Sequence, residues 1–580
     1  MTKASFVLRI AGESGEGVIS SSETFARALA KLGYWLFTYR TFPAEIKGGP
    51  ALFQMRVGSQ RLSTQGDSLD LLLAYNQYAF DHNVKDLASA SVVVYDSEAV
   101  TIPNDFKHQA VGVPFGRIAR EEIGFPLAKN VVALGVLSQF FPGVEQFLQQ
   151  AIEKQFKRKG EEIIGKNKAA LQAGLKFTAD LPTEVLRLTE PNVDQSRLIL
   201  SGNQMIAMGA IAAGCRAYFG YPITPATDIM EFLAGELPKV GGVCQQVEDE
   251  ISAVMMAVGA SYAGVPAMTA TSGPGLSLMG ETLGYAWGAE IPIVVVDSMR
   301  AGPSTGMPTK MEQSDLNIAL HGSHGDTARV VIAPTDVEDC FWQTIRAFQI
   351  AETYQVPVVL LSDITLSNRT ESVQRPDLSQ VKRAERLTYT PSEVPYLRFD
   401  LTSSGVSPMA VPGQPNAHYV ASGLEHTPSD APCYTPENHE AQTEKRFRKL
   451  EQIRASLPAP EILGDPSRAE VGLITWGTAW GPVQEAVKIA QAQGHSVSAM
   501  VLRTLNPFPT DAVQDYLRGV RWAIAVESNF QGQLAHLIQA HTFREVDKLR
   551  AYGGVPFSVA RILEAIAAHN SLARPVSLSR

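Results

Sequence analysis

Cysteine is almost absent. There are four, Cys215, Cys244, Cys340 and Cys433, in 580 residues, and no two stand at a CxxC spacing. A disulfide scaffold, a zinc ribbon and a self-contained iron–sulfur cluster are therefore excluded. If the chain takes part in electron transfer, the redox centre sits on another molecule. Long apolar runs are missing too. None approaches the ~20 residues needed to cross a bilayer. The first apolar stretch, MTKASFVLRIAG, is broken at Gly12 before it could form a signal core. A soluble, cytoplasmic protein with no membrane partner is expected. A surplus of basic charge is also lacking: 59 acids stand against 50 bases, for a net charge of −9. That argues against nucleic acid as a partner. No internal repeat is visible.

What is present reads as an ordinary globular protein, with 45% hydrophobic and 19% charged residues. At ~100–200 residues per domain, the length predicts three or four domains. Residues 1–188 read as an α/β unit: a strand at Ser5–Ala11, a glycine loop, then a helix through Leu32. Buried parallel strands follow at Leu71–Ala74 and Ser91–Tyr95, and a solvated helix over Lys154–Lys168. Residues 196–368 read as a doubly wound sheet. Its strands are expected at Ala217–Gly220, Ala267–Thr271, Pro292–Asp297, Arg329–Ile332 and Pro357–Leu361. Residues 369–460 form a long Pro/Ser/Thr-rich connection ending in a charged helix, Glu440–Ser456. Residues 461–580 form a third α/β unit, with strands at Glu470–Thr475, Ser496–Val501 and Trp522–Val526.

Several loops follow strands. Gly12-x-x-Gly15-x-Gly17 could cradle an anion, but Glu13 and Glu16 would repel a pyrophosphate, and a tight structural turn is the simpler reading. A pyridine-nucleotide dehydrogenase would need a ribose-holding acid about 20 residues on; LFTYRTFP, from Leu36, offers none. Tyr221-Pro222-Ile223-Thr224-Pro225 is stiffened by two prolines. It either lets Thr227 or Asp228 cap the next helix or aims Thr224 into a ligand crevice. Glu248-Asp249-Glu250 opens a helix, where acids favour the dipole whether or not they have another task. Thr271-Ser272-Gly273-Pro274-Gly275 would let a ligand approach the backbone. Arg300 follows a strand, at the edge where open sheets bind ligands.

In combination, GNQMIAMGAIAAGCRAYFGYPITPATD, VEDEISAVMMAVGASYAG, TATSGPGLSLMGE and AEIPIVVVDSMRAGPSTGMPTKMEQSDL resemble the α subunit of 2-oxoacid:ferredoxin oxidoreductases. LRTLNPFP and VESNFQGQLAHL resemble that subunit's second domain. FPAEIKGGPALFQMRV and the glycine loop resemble the family's γ domain, fused in front. The fold implied is three α/β domains: a γ-type domain, a pyrimidine-type thiamine-diphosphate domain and a transketolase C-terminal-like domain. The γ–α order looks most like the 2-oxoglutarate:ferredoxin oxidoreductases.

The resemblance implies a thiamine-diphosphate-dependent reaction of a 2-oxoacid, coenzyme A and ferredoxin. Products are acyl-CoA, CO2 and reduced ferredoxin, and the reaction can run in reverse, as a reductive TCA cycle would use it. The family's Mg2+ motif, Gly-Asp-Gly, does not occur; Gln65-Gly66-Asp67 and Gly325-Asp326-Thr327 are the nearest strings. The resemblance therefore assigns Mg2+, the diphosphate and a [4Fe–4S] cluster to a β subunit, in a heteromer of (αβ)2 type.

Residue by residue, Glu250 matches the carboxylate that holds the aminopyrimidine's N1′, because Gly259-Ala260 follows at the family's spacing. Val254 and Met255 are its expected apolar neighbours. Pro222, Ile223, Ser272 and Gly273 match cofactor-facing positions. Arg300 and Thr224 match the residues holding the 1-carboxylate and 2-oxo group, and Thr309 a third residue on that wall. Lys47, where the family usually has Arg, is the candidate for a distal carboxylate. Other readings are pyruvate or a branched 2-oxoacid as substrate, or a non-catalytic scaffold subunit.

Overall fold

The computed structural model describes residues 3–41, 43, 48–177, 188–191 and 197–572. They form two compact units, 1–200 with 369–375, and 201–368 with 376–580.

The first unit is built on eight strands. Their spatial order is Gln109–Val113, Leu87–Asp96, Leu69–Ala74, Ser5–Glu13, Pro50–Gly58, Trp35–Thr41, Thr370–Val373 and Leu198–Ser201. The first four are parallel. Leu69–Ala74 is buried throughout, as a strand covered on both faces must be. Pro50–Gly58 pairs antiparallel with both its neighbours, so the sheet is mixed. Thr370–Val373 belongs to this sheet, bonded to Trp35–Thr41, although its sequence opens the expected connection.

The glycine loop is a closed turn. Glu16 turns its carboxylate back to accept the Glu13 N–H at 3.1 Å, and Ser14 N–H donates to Gly49 O at 2.9 Å. Gly15 and Gly17 both have positive φ, 95° and 82°. A Cβ on Gly17 would lie 2.6 Å from Asn130 Nδ2. The stretch Lys154–Lys168, expected as one helix, is divided between two. Val144–Phe156 and Glu161–Phe177 are parted by a turn and by Gly160 at φ 91°. A helix cannot pass through that backbone conformation.

The second unit has a seven-stranded sheet. Its order is Thr504–Asn506, Val330–Ile332, Pro357–Asp363, Ile293–Met299, Ala267–Thr271, Ala217–Gly220 and Val243–Gln246. All are parallel except the first. Ala217–Gly220 and Ala267–Thr271 stand where the apolar runs place them. The order of connection reverses at this pair while the strands stay parallel: the strand after Ala217–Gly220 lies on one side of it, and the next lies on the other. That is the switch point at which doubly wound sheets open a crevice.

A five-stranded sheet follows: Glu461–Leu463, Val497–Val501, Val471–Thr475, Trp522–Glu527 and Asp547–Arg550. The apolar core runs without a break from Val295 and Leu361 to Trp476, Leu505 and Phe508. The connecting segment is fastened by buried charge. Lys445 and Lys449, on the helix Pro436–Ser456, both donate to the Glu290 carboxylate, and Arg398 donates to Glu290 O at 2.7 Å. Burial alone would raise the Glu290 pKa. The Lys449 and Lys445 charges overcome it and hold the carboxyl far below its ordinary range. Among the described residues no helix is long and apolar enough to cross a membrane.

Candidate active site

Three loops leave the carboxyl ends of neighbouring strands around the switch point. The first, 221–226, is held at two main-chain oxygens. Asn203, fully buried on the helix Gly202–Ala213, donates through Nδ2 to Pro225 O at 2.8 Å. Arg300 donates through Nη1 to Thr224 O at 2.8 Å. Pro222 and Ile223 are half-buried, and Thr224 is exposed. Neither Thr227 nor Asp228 caps the following helix, Thr227–Glu236. Its N-cap is Ala226, with no side-chain bond. A sequence-level cap is thus corrected, and the tethers to Asn203 and Arg300 set the loop instead.

The three acids at 248–250 are separated by their surroundings. Glu248 is exposed. Asp249 is the N-cap of the helix Glu250–Tyr262, accepting from Ser252 N–H at 2.7 Å; that bond holds its pKa below the usual carboxylate value. Glu250 is buried, 7% exposed. It lies against the second loop, 272–275: a Cβ on Gly275 would be 2.6 Å from Glu250 Cγ and 2.8 Å from its Oε1. Only glycine admits the carboxylate there. Val254 is fully buried, one turn on. Met255, expected beside it, is 45% exposed. Five residues carry a side chain about 140° round a helix of 3.6 residues per turn, away from the face that Glu250 and Val254 share.

The third loop follows Ile293–Met299. Arg300 is 8% exposed, not the surface residue an arginine in a polar loop suggests. Among the described residues its Nε has no partner. Burial lowers its pKa and the nearby Asp315 opposes that. Asp315 packs on the second loop: a Cβ on Gly273 would lie 2.6 Å from its Oδ2. Beneath it is Asp297, fully buried; among the described residues no N–H or hydroxyl donates to its carboxyl. Burial and the Asp315 charge raise the Asp297 pKa well above the carboxylate range. Burial and the Glu312 charge push Asp315 up to about 6. Both carboxyls are thus shifted toward their protonated forms. Ser272 is fully buried and its hydroxyl has no partner among the described residues.

Ala301 N–H donates to Lys310 O and Met307 N–H to Ala301 O, both at 2.9 Å, closing the third loop into a hairpin. That hairpin carries Thr309, half-buried, back toward Arg300. Lys47 lies outside the described residues.

The structure thus brings Glu250 and Asp315 to the 272–275 loop, bonds Arg300 to Thr224 O, and leaves Arg300 and Asp315 linked by charge rather than by a direct bond. Sequence reasoning missed Asn203, Asp297 and Asp315. The available signal was chemical: a carboxylate ending the apolar run IPIVVVD must be either protonated or paired.

This geometry is that of a doubly wound thiamine-diphosphate-type domain, and the comparisons with known proteins give its family. The pyruvate flavodoxin/ferredoxin oxidoreductase thiamine-diphosphate-binding model matches residues 208–445. The pyruvate ferredoxin/flavodoxin oxidoreductase model matches 7–177, and pyruvate:ferredoxin oxidoreductase core domain II matches 469–562. The chain belongs to the 2-oxoacid:ferredoxin oxidoreductase family, on the α-subunit side.

Subunit KorA of the 2-oxoglutarate oxidoreductase of Mycobacterium tuberculosis is 34% identical, over 95% of this chain and 89% of its own. The 2-oxoglutarate synthase subunit KorA of Methanothermobacter marburgensis is 38% identical, over 61% of this chain and 94% of its own. The structure of the 2-oxoglutarate:ferredoxin oxidoreductase of Magnetococcus marinus, with 2-oxoglutarate, coenzyme A and succinyl-CoA bound, is 40% identical. It covers 98% of this chain and 100% of its own, with a TM-score of 0.94.

Proposed function

We propose that this chain is the α subunit of a 2-oxoglutarate:ferredoxin oxidoreductase, converting 2-oxoglutarate and coenzyme A to succinyl-CoA, CO2 and reduced ferredoxin, reversibly and in the cytoplasm. The observation that carries this reading is the buried Glu250 carboxylate on Gly275, on a loop next to the one that carries the buried Arg300. The molecules named for the Magnetococcus marinus structure support the choice of substrate.

The site fits the aminopyrimidine half of thiamine diphosphate. Gly275 opens a cradle that a Cβ would fill, and no donor among the described residues is bonded to the Glu250 carboxylate. Glu250 would hold a proton at the pyrimidine N1′, with Pro222, Ile223, Ser272 and Gly273 around the ring. The chemistry that the cofactor supplies when bound is a carbanion equivalent and an electron sink. Arg300 would bind the 1-carboxylate through the part of its planar guanidinium not engaged with Thr224 O. The Thr224 hydroxyl would meet the charge developing on the 2-oxo oxygen. Thr309 completes that wall. For the distal carboxylate we assign Lys47 on sequence grounds alone.

The sequence has no Gly-Asp-Gly and no CxxC. Mg2+, the diphosphate and the [4Fe–4S] cluster are therefore assigned to a β subunit, in an (αβ)2 assembly that passes electrons to ferredoxin. Co-expression with a β-type subunit from the same organism tests the reading. Coenzyme A-dependent reduction of a viologen dye by 2-oxoglutarate is expected from the pair and not from the chain alone. Iron or turnover in the isolated chain would refute the divided site.

A further inference from the structure

Away from the switch point, the second unit holds a cavity of about 580 Å³. It lies between the helix Val337–Tyr354, the end of the connecting segment and the Asn506–Thr510 turn. Its volume suits a small-molecule ligand. Four features of its wall point to one ligand class.

The first is a cation without a partner. Arg503 in this wall is saturated: its Nε donates to Asp339 Oδ2 and its Nη1 to Glu461 Oε2, both at 2.9 Å. Arg346 beside it is half-buried, and no hydrogen bond or ion pair among the described residues involves its side chain. Burial lowers its pKa, Asp339 opposes this and Arg503 adds to it. Arg454 stands at the rim, exposed.

The second is a helix N-terminus. Thr510–Gly519 begins in the cavity, and its N-cap is Pro509, with no side-chain bond. The first-turn N–H groups of Asp511 and Ala512 have no carbonyl one turn back to bond to. Such a terminus favours an anion.

The third is a buried acceptor. Gln343 is 5% exposed; its Nε2 donates to Asp339 Oδ1 at 2.9 Å, and its Oε1 has no partner. A buried amide oxygen calls for a hydroxyl or amine donor. The fourth is the apolar lining by Leu457, Pro458, Pro460, Pro507 and Pro509, rigid and flat enough to face a ring. Asp511 on the rim is exposed, and the other two carboxylates of the wall, Asp339 and Glu461, are engaged by Arg503.

We infer that this cavity binds a nucleoside phosphate: phosphate on Arg346 and the 510–512 N-terminus, a ribose hydroxyl or base amine on Gln343 Oε1, and the base against the prolines.

Isothermal titration of the full chain with ADP tests this. One ADP should bind per chain, and adenosine should not bind at concentrations where ADP saturates. Arg346→Gln should raise the ADP Kd by about 10–200-fold, the equivalent of a charge-assisted bond. Ala512→Asp is the second variant. A carboxylate at the third helical position favours folding, so Tm should hold or rise while ADP binding is lost. No ADP binding at millimolar concentration would overturn the proposal. So would ADP binding that both variants leave unchanged, which would place the nucleotide elsewhere, at the coenzyme A site for instance. Pyrophosphate binding as tightly as ADP would refute the nucleoside part.

Discussion

Arg300 donates from Nη1 to the main-chain oxygen of Thr224 at 2.8 Å. The residue assigned to the substrate's 1-carboxylate therefore also fixes the loop that carries the Thr224 hydroxyl. Two tasks on one guanidinium make the position sensitive to shape as well as charge.

Arg300→Ala should lower kcat/KM for every 2-oxoacid alike, by about 10–200-fold for the lost charge-assisted bond. Arg300→Lys should recover only part of it, because an ammonium cannot hold Thr224 O and a carboxylate in one plane. Steady-state kinetics on 2-oxoglutarate, pyruvate and 2-oxobutyrate decides this. A loss confined to one substrate would give Arg300 another role.

Glu250→Gln should leave the fold intact and lower kcat by about 10³-fold or more, several kcal/mol of barrier. Glu248→Gln should be silent, and Asp249→Ala should lower Tm slightly through the lost cap while keeping activity. Gly275→Ala should also lower kcat, since its methyl would collide with the Glu250 carboxylate and with the buried Thr271 hydroxyl. If Glu248 or Asp249 proves the critical acid, the assignment fails.

The Asp297–Asp315 pair predicts a pH dependence of definite sign. With Asp315 pushed up to about 6, against an ordinary value near 4, the folded chain keeps a proton that the unfolded chain has released. The stability this gives is fully present at acid pH and is lost as pH rises through about 6. Asp315→Asn keeps the shape and removes the titration. The Tm of the variant relative to the parent should rise between pH 4 and pH 7. A constant difference would show that the pair is not protonated.

Lys47→Met should separate dicarboxylate from monocarboxylate substrates. A buried distal carboxylate needs a cation, so kcat/KM for 2-oxoglutarate should fall about 10–200-fold. Activity with pyruvate should stay level or rise. Equal losses on both would make Lys47 a general electrostatic residue.

Sequence patterns foretold the parallel strands well, because a strand covered on both faces must be apolar throughout; LDLLLA and IVVVD leave little choice. The mixed edge of the first sheet was not foreseen. Trp35–Thr41 and Pro50–Gly58 carry Thr, Tyr, Arg and Gln, and antiparallel pairing does not announce itself in composition. In the site, motif likeness drew attention to Glu250, Arg300 and Thr224. It could not separate Glu250 from its acidic neighbours by physics alone, since all three suit a helix N-terminus. Burial and the contact with Gly275 separate them. Asn203 and Asp315 act through main-chain oxygens and loop packing, contacts made by residues distant in sequence, and no local pattern encodes those.

The short strand Thr504–Asn506 closes the edge of a sheet whose other six strands all precede residue 364. Asn506 Nδ2 donates to Arg329 O at 2.6 Å, and Ala333 N–H donates to Arg503 O at 2.8 Å. Exchange of parts between related subunits must respect this seam. A chimera joined at residue 461 would bring a foreign edge to Val330–Ile332, and the recipient's main-chain donors and acceptors would have to find new partners or stay open to water. The workable crossover points lie elsewhere, and residues 461–580 are best exchanged together with the middle of the chain as one piece.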